Sequence, residues 1–185
     1  SGKGTSAAFH MSQMKGIFHS LVQLDLSAKD FLIHANSALS NCLEKSSFIT
    51  VSYFIIDTQT NTVEFARAGH CPTLYYSAQN KVVNYVKTRG LGLGILRNNN
   101  FKQYIEVSTL QYKPGDIIIL YTDGIIEAKN KEKEFFGYQR LQDFVSLNAH
   151  KSPELMQEEL LKELYTFCDK EPPDDDFTTF IIKFN

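Results

Sequence analysis

The sequence predicts an α+β fold, in which helices at both ends of the chain enclose a block of antiparallel strands. Two apolar stripes at helical spacing open the chain, and the hydrophobic period changes to two from about residue 48. Helical spacing returns after residue 137, and one further strand closes the chain. Helices grouped outside a run of strands are typical of α+β layers.

The first two helices are predicted from apolar residues that recur at helical spacing. The first lies within residues 1–24, and its stripe leaves His10 on the polar side and consists of Ala7, Ala8, Met11, Met14, Ile17, Phe18, Leu21 and Val22. The second begins after Ser27, because Ser27 with Asp30 three residues later forms a capping box with a shorter acid.

Seven strands are predicted where the hydrophobic period is two and turn residues intervene. They are residues 48–57, 62–69, 73–77, 82–86, 101–107, 116–122 and 177–184. Within the sixth, Ile117–Leu120 has no polar alternation, which indicates burial on both faces. Two helices precede the last strand, one at 137–147 and one beginning after Ser152, with Pro153 at its first position.

Composition excludes several classes of function. At 185 residues the chain is expected to form one domain, and 43% hydrophobic with 22% charged residues is ordinary for a globular protein. The net charge of −2 offers no basic field for nucleic acid. No apolar run reaches 18 residues, so no membrane segment is predicted. Three widely spaced cysteines indicate thiols in a reducing cytoplasm, where we expect the protein.

Asp123 is the first candidate for chemistry, because it ends an entirely apolar strand and precedes Gly124. A carboxylate at the end of a buried strand sits on the rigid support that a metal site needs. The alternative is a hairpin turn, for which Asp-Gly is a strong signal. Residues 125–130 show no strand alternation, which counts against the hairpin without removing it.

Asp174, Asp175 and Asp176 form the second candidate, between Pro172-Pro173 and the last strand. Three adjacent carboxylates repel one another unless water or a cation separates their charges. An exposed acidic loop is one explanation. A site for Mg²⁺ or Mn²⁺, which prefer oxygen ligands, is the other.

Three other patterns fail as known motifs. Residues 2–5, Gly-Lys-Gly-Thr, do not have the Walker A spacing, and 90–94 lacks the third glycine of a dinucleotide site, so it is interpreted as a turn or a tight backbone approach. No cysteine is followed six residues later by arginine, which excludes a cysteine phosphatase. His70 is a lone histidine, for which both structural and catalytic roles stay open.

Taken in order, the motifs resemble the metal-dependent serine/threonine phosphatases of type 2C, in the bacterial branch typified by the sporulation stage II E phosphatase. The matching segments are Ser-Gly-Lys-Gly at 1–4, Ala-Gly-His at 68–70, Gly-Leu-Gly-Leu-Gly at 90–94, Lys-Pro-Gly-Asp at 113–116, Leu-Tyr-Thr-Asp-Gly-Ile-Ile-Glu-Ala at 120–128, Phe-Gly at 136–137 and Asp-Asp-Phe-Thr at 175–178. Each is short, and their joint order makes the resemblance specific.

The resemblance implies a pair of packed antiparallel sheets flanked by helices on both outer faces, an α-β-β-α sandwich. It also implies two Mn²⁺ or Mg²⁺ ions that activate water, with no protein nucleophile. Asp123 and Asp175 fall on its metal-ligand positions, with Asp176 and Gly124 as additional candidates. The remaining motif residues are Gly2, Lys3, Gly4 and His70.

The family pattern usually has an aspartate two residues before Ser-Gly-Lys-Gly and another farther upstream, and this sequence has neither. We therefore expect the first strands, and further domains, to lie upstream of residue 1. Residues 1–185 alone are expected to be inactive or weakly active and to self-associate through exposed sheet edges. The expected function is dephosphorylation of an anti-anti-sigma-type phosphoprotein in bacterial signalling. The alternative is an inactive phosphatase-like module that binds partners.

Overall fold

The computed structural model describes residues 4–170 and 175–185. In chain order its elements are α1 (Thr5–Leu21), α2 (Ala28–Ser40), β1 (Val51–Asp57), β2 (Thr62–Ala68), β3 (Thr73–Ser77), β4 (Val82–Val86), β5 (Val107–Gln111), β6 (Ile117–Tyr121), α3 (Asp123–Ile126), α4 (Gly137–Asn148), α5 (Pro153–Phe167) and β7 (Thr179–Lys183). Within these ranges, none of the helices has the length and apolar character needed to cross a membrane.

The chain divides into two compact units, and each contains one antiparallel sheet. The first unit holds α1, α2 and a three-stranded sheet in the order β1-β2-β5. The second holds α3, α4, α5 and a four-stranded sheet in the order β4-β3-β6-β7. The predicted fold class, α+β with two antiparallel sheets and flanking helices, is confirmed.

Helix α2 packs on β1 and β2 and supplies much of the core of the first unit. Its N-terminus is capped as predicted, since the Ser27 side chain accepts a hydrogen bond from the Asp30 backbone N–H at 3.1 Å. Glu64 of β2 adds a second cap, because its Oε1 accepts from the Ala28 N–H at 2.6 Å. On the buried face, the Phe31 ring stacks on Tyr53 with centroids 3.8 Å apart.

The apolar stripe predicted for α1 is wrong in part. Met14 of that stripe is buried, and Ile17 and Leu21 pack against the core. His10, which was placed on the polar side, is buried as well. The side chains that α1 buries are His10 and Met14, whereas Met11 is 59% exposed. Successive residues of an α-helix are about 100° apart, so Met11 points well away from the face that carries His10 and Met14. The spacing of apolar residues could not distinguish these two faces, because α1 carries apolar residues on both.

Strand β6 is the centre of the second unit, between β3 and β7. It is buried nearly throughout, as predicted, and Ile117, Ile119 and Tyr121 share one apolar core with residues of α4 and α5. Helix α5 begins where the sequence indicates, with the Ser152 hydroxyl accepting from the Leu155 N–H. Burial on this scale makes β6 a rigid support for the residue that follows it.

The start of β6 is fixed by the buried carboxylate of Asp116, which is 2% exposed. It accepts hydrogen bonds from the Tyr75 hydroxyl at 2.5 Å, the Ala78 N–H at 2.8 Å and the Lys113 N–H at 2.9 Å. Gly115, at φ 89°, supplies the left-handed residue of the turn before it. The motif residues 113–116 therefore build a turn, and Asp116 is structural.

One predicted strand is wrong. Residues 101–107 were expected to be extended, but Asn99–Tyr104 forms a 3₁₀ helix and β5 begins only at Val107. The Asn98 side chain accepts from the Asn100 N–H at 3.0 Å and so starts the helical turn. Phe101 and Ile105 are both buried in the apolar core of the first unit.

Candidate metal centre

Asp123 is separated from the end of β6 by Thr122 alone and is the first residue of the single-turn helix α3. Its side chain is exposed, and its carbonyl accepts a hydrogen bond from the Glu127 N–H at 2.9 Å. The hairpin alternative for Asp-Gly is therefore excluded. The chain leaves the buried strand and turns into a helix, which places the Asp123 carboxylate at the strand end.

The segment before β7 is tied to this strand end by two hydrogen bonds between threonines. The Thr122 N–H donates to the Thr178 carbonyl at 3.1 Å. In return, the Thr178 N–H donates to the Thr122 hydroxyl oxygen at 2.9 Å. These bonds continue the β6–β7 pairing one residue beyond the Tyr121–Thr179 pair.

Gly124 brings the same two segments into backbone contact. A Cβ atom added at Gly124 would lie 2.5 Å from the Asp176 carbonyl oxygen and 3.2 Å from the Phe177 Cβ. Only glycine fits this position without a shift of the backbone opposite. Steric fit at Gly124 thus explains the Asp-Gly sequence, in addition to the chemistry expected of the Asp123 carboxylate.

Asp175 and Asp176 lie next to this contact, and both are exposed. An Asp175 carboxylate oxygen accepts the Asp176 N–H at 2.9 Å. Asp174 lies outside the described residues. The structure therefore brings the chain around Asp123 and Gly124 together with the chain at Asp175 and Asp176, while their role as metal ligands stays a prediction.

The donor chemistry of these residues fits part of a site for a hard cation. Within 4–170 and 175–185, no cluster of three or more His, Cys, Asp or Glu side chains could hold an ion. Mg²⁺ is commonly held by one or two carboxylates, with waters and substrate phosphate completing its coordination. Asp123 with Asp175 matches that smaller ligand set.

Tyr121, the last residue of β6, is buried in the apolar core of the second unit. Its hydroxyl is buried and has no hydrogen-bond partner among the described residues. Burial raises the pKa of Tyr121, and the neighbouring Tyr85 contributes in the same direction. Burial likewise raises the pKa of Tyr85, whose hydroxyl donates to the Tyr138 carbonyl at 2.7 Å. Both phenols therefore stay neutral at physiological pH.

Two of the other predicted motif residues, Gly4 and His70, belong to the first unit. Gly4 is the N-cap residue of α1 at φ 84°, and Gly2 and Lys3 lie outside the described residues. The His70 Nδ1 atom is 3.2 Å from the Thr50 hydroxyl, and its carbonyl accepts from the Arg67 guanidinium. This setting orients the His70 segment, and a catalytic role for its ring stays a prediction.

The glycine-rich segment at 90–94 is a close backbone approach, as expected. A Cβ at Gly90 would lie 1.5 Å from the Arg67 carbonyl oxygen, which leaves no room for any side chain. Asn36 of α2 fastens the same segment, since it accepts from the Gly94 N–H at 2.8 Å and donates to the Leu96 carbonyl at 2.9 Å. The buried role of Asn36 was missed, because it lies between apolar positions of α2.

The Thr122–Thr178 contact was also missed from sequence. A threonine before Asp-Gly has the signature of an ordinary helix N-cap, and nothing in the local pattern indicates that its hydroxyl bonds to another segment. Only the pairing of β6 with β7 reveals this contact, and the paired residues are more than fifty positions apart in the sequence.

Comparison with known proteins gives relatives along most of the chain. Phosphoserine phosphatase RsbU of Bacillus subtilis is 28% identical over 182 residues, which cover 98% of this chain and 52% of that protein. The chain thus spans about half the length of this relative. The SiaA PP2C domain of Pseudomonas aeruginosa has a TM-score of 0.85 at 17% identity, covering 100% of this chain and 73% of that one.

A third match is the phosphatase domain of SpoIIE from Bacillus subtilis, solved after presoaking with Mn, with a TM-score of 0.62 at 21% identity over 95% of this chain and 73% of that one. The two solved structures have the fold found here, two antiparallel sheets with flanking helices. The family model described as stage II sporulation protein E (SpoIIE) matches residues 1–185. The chain therefore belongs to the stage II sporulation protein E family, as its motifs indicate.

Proposed function

We propose that the protein is a metal-dependent phosphoserine/phosphothreonine protein phosphatase. The observation that carries this proposal is the contact between the Asp123-Gly124 strand end and the Asp175-Asp176 segment, which puts exposed carboxylates on a rigid support. Family membership supports the same reaction class, since the relative RsbU is named a phosphoserine phosphatase.

Asp123 and Asp175 would hold the divalent cation, with Asp176 and the Gly124 backbone as additional candidates. Mn²⁺ or Mg²⁺ would supply Lewis-acid activation of water and would neutralise charge on the phosphoryl oxygens. The protein's own part is to hold the carboxylates in place. Gly124 permits the close approach of the two segments, and Thr122 ties them together.

Exposure of the carboxylates bears on the class of substrate. Asp123, Asp175 and Asp176 are all solvent-exposed, so a phosphorylated side chain on the surface of another protein could reach them. The family description, stage II sporulation protein E, favours a signalling substrate, and we propose an anti-anti-sigma-type phosphoprotein. A cytoplasmic location is part of the same proposal.

An inactive, partner-binding module is the alternative, and it is not favoured. Membership in a family with a named phosphatase argues for turnover. The two functions differ in one measurable respect, because a binding module would hold the phosphoprotein without releasing inorganic phosphate.

The test is phosphate release from a phosphoserine protein, with Mn²⁺ and with a chelator. Residues 1–185 and any longer chain that contains them should be assayed side by side, because 1–185 spans only about half the length of the relative RsbU. Asp123→Asn should reduce turnover by at least about 100-fold, the order of loss expected when a transition-state charge contact is removed. Mn²⁺ affinity, measured by calorimetry, should fall with it.

Asp143→Asn is the matched control, since Asp143 is an exposed carboxylate of α4 that accepts only from Gln139 among the described contacts. It should leave turnover unchanged. Phosphate release that survives chelation would rule out the metal mechanism. Tight binding of the phosphoprotein with no release, in the longer chain, would establish the binding module instead.

A further inference from the structure

Thr122 stands at the N-cap position of α3, yet its side chain does not cap that helix. Threonine at this position ordinarily accepts a hydrogen bond from a backbone N–H in the first turn. Here the hydroxyl accepts from the Thr178 N–H at 2.9 Å, a residue 56 positions later in the chain. A local capping group is thus used for a long-range contact.

The contact is reciprocal, which makes it a constraint on position. The Thr122 backbone donates to the Thr178 carbonyl at 3.1 Å while the Thr122 hydroxyl accepts from the Thr178 N–H. Two bonds between one pair of residues fix their separation and their rotation. Asp123 follows Thr122 directly, and Asp175 and Asp176 precede Thr178 by only three and two residues.

The hydrogen bond from the Thr122 N–H to the Thr178 carbonyl would by itself hold only one side of this contact. Without the hydroxyl, the Thr178 N–H loses its acceptor, and the residues that precede Thr178 gain freedom relative to Asp123. Close approach at Gly124 limits how near Asp176 can come. The Thr122 hydroxyl limits how far it can move away.

We propose that Thr122 is a positioning residue whose hydroxyl sets the spacing between Asp123 and the Asp175-Asp176 segment. The proposal rests on the proposed function, because it assigns a purpose to that spacing. Thr122 touches neither substrate nor cation in this role. It acts through the Thr178 backbone.

The test compares Thr122→Val, which keeps the shape and removes the hydroxyl, with Thr122→Ser, which keeps the hydroxyl. Amide hydrogen exchange at Thr178 in metal-free protein reports the hydrogen bond directly. In Thr122→Val this amide should exchange at least about 3-fold faster, and the Kd for Mn²⁺ should rise about 3- to 10-fold, the range expected for one lost hydrogen bond. Thr122→Ser should stay within about twofold of the unaltered protein in both.

Thr109→Val is the matched control, because Thr109 is an exposed strand threonine of the first unit. It should change neither measurement. An unchanged Thr178 exchange rate in Thr122→Val would overturn the proposal, and so would faster exchange with unaltered Mn²⁺ affinity. If the unaltered longer chain fails to bind Mn²⁺, the proposed function fails first, and that result is visible before any variant is made.

Discussion

The Gly124 backbone lies so close to Asp176 that an added Cβ would be 2.5 Å from the Asp176 carbonyl oxygen. The neighbouring atoms at this distance are backbone, which cannot rotate away as a flexible side chain would. We predict that Gly124→Ala displaces the Asp175-Asp176 segment, destabilises the protein by about 1–3 kcal/mol and weakens Mn²⁺ binding. Denaturant unfolding and calorimetry measure the two effects.

Gly16→Ala is the control for that substitution. A Cβ at Gly16, within α1, would meet nothing within 4 Å. Alanine there should raise the free energy of unfolding by about 0.5–1 kcal/mol, since glycine is the poorer helix former. If Gly124→Ala and Gly16→Ala change the free energy of unfolding alike, steric contact is not the reason that residue 124 is a glycine.

Asparagine substitutions should distinguish the role of Asp175 from that of Asp176. We predict that Asp175→Asn weakens Mn²⁺ binding and turnover more than Asp176→Asn does, because Asp175 matches the family ligand position. Both side chains are exposed, so neither change should alter the free energy of unfolding by more than about 0.5 kcal/mol. A larger loss in Asp176→Asn would reverse the ligand assignment.

Stability should fall at alkaline pH because burial raises the pKa of Tyr121, Tyr85 and Tyr75 above the ordinary value of 10.0. A phenol whose folded pKa is raised stabilises the fold fully below its unfolded pKa. That contribution is lost as pH rises beyond about 10 toward the folded value. Denaturation midpoints measured from pH 8 to pH 11 should show this decline.

Tyr121→Phe should make the alkaline decline shallower, since it removes one of these groups. At pH 8 it should leave the free energy of unfolding unchanged or raise it by up to about 1 kcal/mol, because the lost hydroxyl is buried without a partner among the described residues. Tyr165→Phe, on the exposed side of α5, serves as the control. A clear loss of stability in Tyr121→Phe at pH 8 would mean that its hydroxyl is satisfied.

Removal of the Asp116 carboxylate should be among the most destabilising single changes in the second unit. Asp116→Ala leaves the Tyr75 hydroxyl and the Ala78 and Lys113 N–H groups without their acceptor. We predict a loss of about 3 kcal/mol or more, measured by denaturant unfolding. In a double-mutant cycle with Tyr75→Phe, the coupling should be about 1.5–3 kcal/mol, the range for a bond to a charged group. If the two substitutions lower the free energy of unfolding additively, the hydrogen bond between Tyr75 and Asp116 is contradicted.

Local signals in the sequence were sufficient for much of the fold. Ser27 and Ser152 locate the starts of α2 and α5 because a cap depends on residues three positions apart. The apolar run at Ile117–Leu120 indicated a buried strand because no polar side chain interrupts it. The α1 face was predicted only in part, because both sides of that helix carry large apolar residues and only packing decides between them.

The candidate site was predictable to a lesser degree. Asp123 and the run of three aspartates at 174–176 were singled out as local features, and the family resemblance selected Asp175 from that run. The role of Asp123 and Asp175 as metal ligands stays a prediction. The Thr122 hydroxyl bond and the Gly124 contact were not found, since each depends on the pairing of β6 with β7. The role of Asn36 likewise depends on the segment at Gly94, which lies 58 residues away.

The Glu64 carboxylate, which accepts from the Ala28 N–H, has a consequence for the order of folding. The N-terminus of α2 is completed by a residue of β2, 36 positions later in the chain. Helix α2 can begin to wind early with Ser27 alone, but it gains its second cap only after the β1–β2 hairpin has formed. Glu64→Ala, which removes the acceptor, should therefore speed unfolding more than it slows refolding, and stopped-flow chevron measurements resolve the two rates.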